Sequence, residues 1–338
     1  MPSARSSWPR CWSSCKAASL ESLCMTALKP PLRMGVIGAG AHSRENHLPS
    51  LALYQREHPG QVALVAVCDL DAGRASRAAA QFGFEKSYFS IDTMLDEARL
   101  DACVAVTPME FTAECALRLI ARGLPCLIEK PPGVTLEQAR AIAAAAENRG
   151  VPVMVSLNRR HDPALLAAVR WRSERRIRYV RSVISRARRR EEGFVRNTAI
   201  HAFDAMRALA GEIGSSRFEW QEEGEAPWVV ARLVFECGAL GTFEALPTAG
   251  ANQERHELYG DGWRLEIRGG YGDAGEAVAF EDRAEVFRFS HPPGTPAFVR
   301  NGSHGETREF VTSLLEGRAP YPTPAQTLPS LETLWQGA

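Results

Sequence analysis

The chain has 338 residues, 45% of them apolar and 24% charged, and its 40 basic residues balance its 40 acidic ones. That balance argues against nucleic acid or a membrane surface as partner, and the apolar runs are strand-sized, well short of the roughly 20 residues a spanning helix needs. The length suggests about two domains.

Eight cysteines without a Cys-x-x-Cys pair lack zinc or redox spacing, so no metal is expected. Cys68, Cys103 and Cys126 lie inside apolar runs, as free thiols do in a reducing compartment, and a cytoplasmic location is expected. Residues 1–32, rich in Ser and Arg and poor in acid, read as a disordered extension, with a transit-type leader as the alternative.

From Arg33 a short apolar strand runs into Gly38-Ala39-Gly40-Ala41-His42-Ser43. Gly38 and Gly40 let the backbone turn tightly and approach a pyrophosphate at the N-terminus of the next helix, although the third small position is Ser43. Taken alone, this is any strand-to-helix turn. The second strand, 62–68, ends at Asp69, a carboxylate placed to accept hydrogen bonds from a ribose and to repel a 2′-phosphate. NAD is favoured, with NADP possible. Arg74 reads as an exposed charge early in a helix over 72–82.

A short helix over 91–98 leads to a strand over 101–106 that ends in Thr107-Pro108; a helix over 110–122 closes at Gly123. A strand over 125–129 precedes a helix over 135–149, capped by Thr135 with Gln138 three residues on, and a last strand covers 152–157. Such alternation predicts a doubly wound parallel α/β sheet with right-handed crossovers over 33–157. Within it, Glu129-Lys130-Pro131-Pro132 ends a buried strand on an ammonium, and the two prolines stop both ladder and helix. Lys130 is thereby fixed at a strand's carboxyl end, where ligands of open α/β sheets sit and where partial burial lowers a lysine's pKa. A surface Glu-Lys pair is the plainer alternative.

Beyond 157 the pattern changes. Asn158-Arg159-Arg160-His161-Asp162-Pro163 leads into one helix, followed by strands at 177–185, 216–221, 228–236, 241–246, 256–259 and 263–267. With helices on one face, a largely antiparallel open sheet makes residues 158–338 an α+β domain. The ten arginines within 170–190 read as a solvated or subunit-facing surface, with a phosphate patch as the alternative. A helix over 197–210, stopped by Gly211, would set Asn197 and His201 on one side. His201 is as well explained by structure as by catalysis, and Asp204 reads as holding a neighbour. Trp228, Val230 and Leu233 on the sheet's other face point to a homodimer or homotetramer.

The ordered set Gly38-x-Gly40 with His47-Leu48-Pro49, Cys68-Asp69, Thr107-Pro108, Glu129-Lys130-Pro131, Asn158-Arg159-Arg160 and His201-x-x-Asp204 resembles the Gfo/Idh/MocA oxidoreductases over about residues 33–330. The resemblance implies a Rossmann domain, a mixed-sheet domain and NAD(P)-dependent hydride transfer at a secondary alcohol or ketone of a sugar, cyclitol or nucleotide sugar. It implies cofactor contacts from Gly38, Gly40, Ala41, His42, Ser43, Asp69, Thr107, Pro108, Glu129 and Lys130. Lys130 would also act at the reacting oxygen with His201 as acid or base, and Asn158, Arg160, Asn197 and Asp204 would surround a polyol or nucleotide-sugar substrate. Met109 and Thr112 stand where the family often has Asn and His, and Asn197 where many members have Asp. The last departure keeps open a catalytically inactive, dinucleotide-binding regulatory protein of the same fold.

Overall fold

The computed structural model describes residues 26–269, 271 and 274–337. The expected extension lies outside the described residues up to position 25; past it, the Leu28 N–H donates to the Leu314 carbonyl at 3.0 Å and the fully buried Leu32 opens the first strand. The packed chain therefore begins before residue 33.

β1 (Leu32–Ile37) passes through the glycine turn and a π-helical turn, Ser43–His47, into α1 (Leu48–Glu57). Then come β2 (Val62–Cys68), α2 (Ala72–Phe82), β3 (Lys86–Tyr88), α3 (Ile91–Glu97), β4 (Ala102–Ala105), α4 (Met109–Ala121), β5 (Cys126–Ile128), α5 (Leu136–Arg149) and β6 (Val153–Val155). All six strands are parallel, in the order β3-β2-β1-β4-β5-β6, so the strand order reverses between β1 and β4 and opens a crevice at their carboxyl ends. The helices start where the sequence offers caps: Asp71, Ser90 and Thr135 accept from backbone N–H groups, and Thr135 with Gln138 forms a complete capping box. β3 is the strand the periodicity misses, three residues at a sheet edge with only Tyr88 buried.

The second half runs through a 3₁₀ turn, Asn158–His161, into α6 (Pro163–Arg172), β7 (Tyr179–Ser185), α7 (Phe194–Asn197) and α8 (Ile200–Ala210). β8 (Ile213–Gln221), β9 (Trp228–Phe235), β10 (Leu240–Leu246), β11 (Gln253–Gly260), β12 (Trp263–Arg268), β13 (Glu276–Glu281) and β14 (Ala284–Ser290) follow, then α9 (Ala297–Arg300), α10 (Ser303–Glu316) and α11 (Pro324–Gly337). The eight-stranded sheet has the order β14-β13-β12-β11-β7-β10-β9-β8, antiparallel except where β7 lies parallel to β10. β13 and β14 are absent from the sequence expectation: β13 is a four-residue apolar run between Glu276 and Glu281, and β14 sets Glu285 and Arg288 among its apolar residues.

Two expectations are corrected here. The helix expected over 197–210 is broken, with Thr198 and Ala199 separating α7 from α8. Leu233 is 2% exposed and points to the helix side with Val229 and Ala231, because side chains alternate along β9; Trp228 and Val230 are on the open face. That face also carries ion pairs, among them Arg181 with Glu244 and Arg268 with Glu276.

The C-terminal helices return to the first sheet. Phe310, Val311 and Leu314 of α10 share an apolar cluster with Leu32, Met34 and Leu51, while α11 lies against α5 and α8. The sheets change at about residue 157, but the cores interlock across that point. Among the described residues, no helix is long and apolar enough to cross a membrane.

Candidate active site

The glycine turn closes the crevice from below. Gly38 has φ +94°, and a Cβ there would meet the Val106 carbonyl oxygen at 2.1 Å, so only glycine fits. Gly40 faces open space, with nothing within 4 Å of a Cβ placed on it, which leaves room for a phosphate to approach the backbone. Asp69 ties the turn to β2, accepting from the Ala39 N–H at 2.8 Å and the Asp71 N–H at 2.9 Å. Arg74 is not the free surface charge expected: its guanidinium pairs with Asp69 at 3.0 Å. A cavity of about 370 Å³ opens beside them, lined by Gly38, Gly40, Asp69, Thr107, Pro108 and Phe111 among others. A carboxylate at its rim, an open glycine backbone and apolar walls are a donor and acceptor set that fits an adenosine dinucleotide.

A second cavity, of about 450 Å³, shares Gly40, Val106, Thr107 and Pro108 with the first and lies where the two sheets meet. The Rossmann side contributes Ala41, His42, Ser43, Glu129 and Lys130; the other side contributes Asn158, Arg159, Arg186, Arg189, Thr198, His201 and Tyr271. Lys130, just past β5, donates from Nζ to the Asn197 carbonyl oxygen at 2.7 Å. Burial, reinforced by the charges of Arg159 and Arg189 and opposed by Glu129, pushes its pKa down to about 8. His201 is buried, its Nδ1 has no hydrogen-bond partner, and burial with the charges of Arg159 and Lys130 holds its pKa well below the usual histidine value. The site therefore pairs a lysine poised to lose its proton with an imidazole that stays neutral at physiological pH.

Glu129 is the hub of the Rossmann wall. His47 Nε2 lies 2.6 Å and His42 Nε2 3.1 Å from its Oε1. Burial would raise this carboxyl's pKa, but the bonds and charges of the two histidines hold it well below the ordinary range. These three residues bring one ligating atom each within 4.8 Å, the one such grouping among the described residues, and as found they hydrogen-bond to one another. Behind them, Glu306 is fully buried, accepts from Ser156 Oγ at 2.9 Å and lies 3.8 Å from His47 Nδ1. Burial and the nearby Glu129 charge raise its pKa well above the normal carboxyl range.

Several residues expected around the substrate are elsewhere. Arg160 points away from the cavity, bonded in a fork to Asp204 at 2.6 and 2.8 Å and stacked on Tyr321. Asp204 also accepts from Ser330 Oγ at 2.7 Å, so both residues hold α8 and α11 together and neither lines the cavity. Asn197 lines it neither: the helix break turns its side chain back over Gly193, and its role toward Lys130 is played by its backbone carbonyl. Asn158 does line the cavity, its amide donating to Asn301 O and Ser303 Oγ.

Sequence reasoning missed Arg159, Arg186 and Arg189. Arg159 and Arg186 share the buried Glu254, with N···O distances of 2.6 and 2.8 Å from the first and 2.5 Å from the second. Both guanidiniums also sit over the Tyr271 ring. Of the ten arginines of 170–190, Arg175, Arg178, Arg181, Arg188 and Arg190 pair with acids at the surface, but the cavity takes Arg186 and Arg189 from the same run. The strand parity of β7 was the available signal, and it ends one residue before Arg186.

Residues 32–157 match the sequence model of an oxidoreductase family with an NAD-binding Rossmann fold. The chain is 28% identical over 271 residues to inositol 2-dehydrogenase of Rhizobium meliloti, covering 75% of this chain and 77% of that one. It is also 31% identical over 140 residues to an uncharacterized protein of Saccharomyces cerevisiae, a match spanning 41% of this chain and only 39% of the yeast protein. In fold, it superposes on a crystal structure of a dehydrogenase from Chromobacterium violaceum with a TM-score of 0.81 at 23% identity, over 90% of this chain and 93% of that one.

Proposed function

We propose that this chain is an oxidoreductase of the Gfo/Idh/MocA type, the family whose NAD-binding Rossmann model its residues 32–157 match, and that it transfers a hydride between NAD and a secondary alcohol or ketone of a sugar, cyclitol or nucleotide sugar. The observation that carries this reading is Lys130, held at the end of β5 in the second cavity with its pKa pushed down to about 8. NAD, when bound, supplies the hydride chemistry; the turn at Gly38 and Gly40 suits its pyrophosphate and Asp69 its adenosine ribose. The Lys130 ammonium spends one hydrogen on Asn197 O and keeps others for the substrate oxygen, stabilising the charge that develops there. His201, neutral and with Nδ1 unpartnered, moves the alcohol proton. Asn158 orients hydroxyl groups from the opposite wall, while Ala41, His42, Ser43, Thr107, Pro108 and Glu129 border the cofactor end.

The relative named inositol 2-dehydrogenase supports a cyclitol or sugar substrate. An inactive regulatory relative drew its support from the Asn197 side chain, which does not face the cavity. Residues 28–157 serve as the cofactor domain and the chain beyond 157 as the substrate and oligomerisation domain. The half-exposed Trp228, Val230 and Val234 support a homodimer or homotetramer through the open sheet face, checked by light scattering. Free, buried Cys68, Cys103, Cys115 and Cys126 support a cytoplasmic location. The decisive experiment screens sugars, cyclitols and nucleotide sugars while following the absorbance of reduced cofactor; NAD binding without turnover of any of them contradicts the assignment. Titration should favour NAD over NADP, and Asp69→Ala should narrow that gap.

A further inference from the structure

Resting on the sugar oxidoreductase reading, we propose that the substrate carries an anionic group, a carboxylate or a phosphoryl, on its hydroxylated body. Of the charged side chains that line the second cavity, Lys130, Arg159, Arg186 and Arg189 are cations, and Glu129 is the single carboxylate. Glu129 is already taken by His42 and His47. The acids that offset the arginines stand behind them: Glu254 holds both Arg159 and Arg186, Glu191 holds Arg189, and Asp162 caps α6. None of these three carboxylates lines the cavity, so the cations border it while their partner acids stand behind them.

A neutral polyol does not require that arrangement. Hydroxyl groups are matched by amides, hydroxyls and imidazoles, whereas burying two guanidiniums, 6% and 3% exposed, on one carboxylate carries a desolvation penalty. The parallel N–H edges of Arg159 and Arg189 are spent on Glu254 and Glu191, so a carboxylate or phosphoryl oxygen would meet their remaining Nη hydrogens and their charge. The glycine turn that suits the cofactor's own phosphates borders both cavities, whereas Arg159, Arg186 and Arg189 line the second alone, on the wall opposite the Rossmann side. Burial lowers the proton affinity of Lys130 and His201, and the arginine charges of this wall lower it further.

The test uses the full chain loaded with NADH or NAD and a panel of neutral pentoses, hexoses and cyclitols, each beside its carboxylate and its phosphate counterpart. Turnover is followed by cofactor absorbance and binding by calorimetry. The expected result is a charged member favoured over its neutral counterpart by about 10-fold to 100-fold, the scale of one or two hydrogen bonds to a charged group. The carboxylate and phosphate arms tell which anion it is. Arg189→Gln, at a half-exposed position where the fold tolerates change, should narrow that ratio while NADH affinity holds. Neutral members binding and reacting as well as charged ones would overturn the anion proposal and leave the oxidoreductase reading standing. An Arg189→Gln protein that loses NADH affinity with the ratio unchanged would overturn it too. If no member binds or reacts while NADH still binds, both readings fall.

Discussion

Arg159 and Arg160 are neighbours in one 3₁₀ turn and do opposite work. Arg159 faces the cavity, shares Glu254 with Arg186 and sets the charge around Lys130; Arg160 faces the protein and is locked in a fork to Asp204. Both are buried and both are paired, so neither burial nor pairing separates them. Direction does: consecutive side chains on a 3₁₀ turn diverge by about a third of a turn, and only one of them reaches the crevice.

The largest effect should come from breaking the inward pair. Asp204→Ala leaves the guanidiniums of Arg160 and Arg207 without their shared carboxylate, and chemical denaturation should show a loss of about 3–5 kcal/mol. The KM of protein that remains folded should not move. A variant of normal stability with impaired substrate binding would place Asp204 in the site after all.

On the cavity side, the sharper measurement is pH. In the direction of alcohol oxidation neutral His201 takes up the proton and the Lys130 ammonium steadies the developing alkoxide, so kcat/KM should be flat up to a pKa of about 8 and fall above it as the ammonium loses its proton. Arg159 is one of the charges that lower this pKa. Arg159→Met should therefore move the falling limb to higher pH, together with about a 10-fold drop in kcat/KM, and the equivalent change at Arg160 should leave the limb in place. His201, neutral across that range, should add no limb of its own between pH 6.5 and the Lys130 limb.

The smallest effect concerns Glu306. Its folded pKa lies above the unfolded value of 4.5, so its favourable contribution is complete below pH 4.5 and is lost as pH rises toward the folded pKa. Glu306→Gln keeps a partner for Ser156 Oγ without the ionisation, and should gain stability over the unmutated protein as pH rises. The gain should grow steadily between pH 5 and pH 7. A Tm difference that stays flat over that range would mean Glu306 is already ionised in the folded protein.

The parallel sheet and the glycine turn were legible because periodicity, caps and a strand-end carboxylate are local signals, and Thr135 with Gln138 behaves as its spacing predicts. Lys130 was legible for the same reason, since two prolines fix it at a strand's end. The partners were not: Glu129 meets His42 and His47, and Arg159 meets Glu254, across most of a domain's length of sequence. Nor does a motif's composition tell which of two adjacent arginines turns inward. Asn197 failed for a backbone reason, the break between α7 and α8, where no proline or glycine marks the stop.

Lys130→Met tests the central claim most directly, because it removes the ammonium and keeps most of the side chain's bulk. With a substrate from the screen in hand, kcat should fall roughly 100-fold or more while NADH affinity stays within a few-fold. A Lys130→Met protein that turns the substrate over at the unmutated rate would contradict the account.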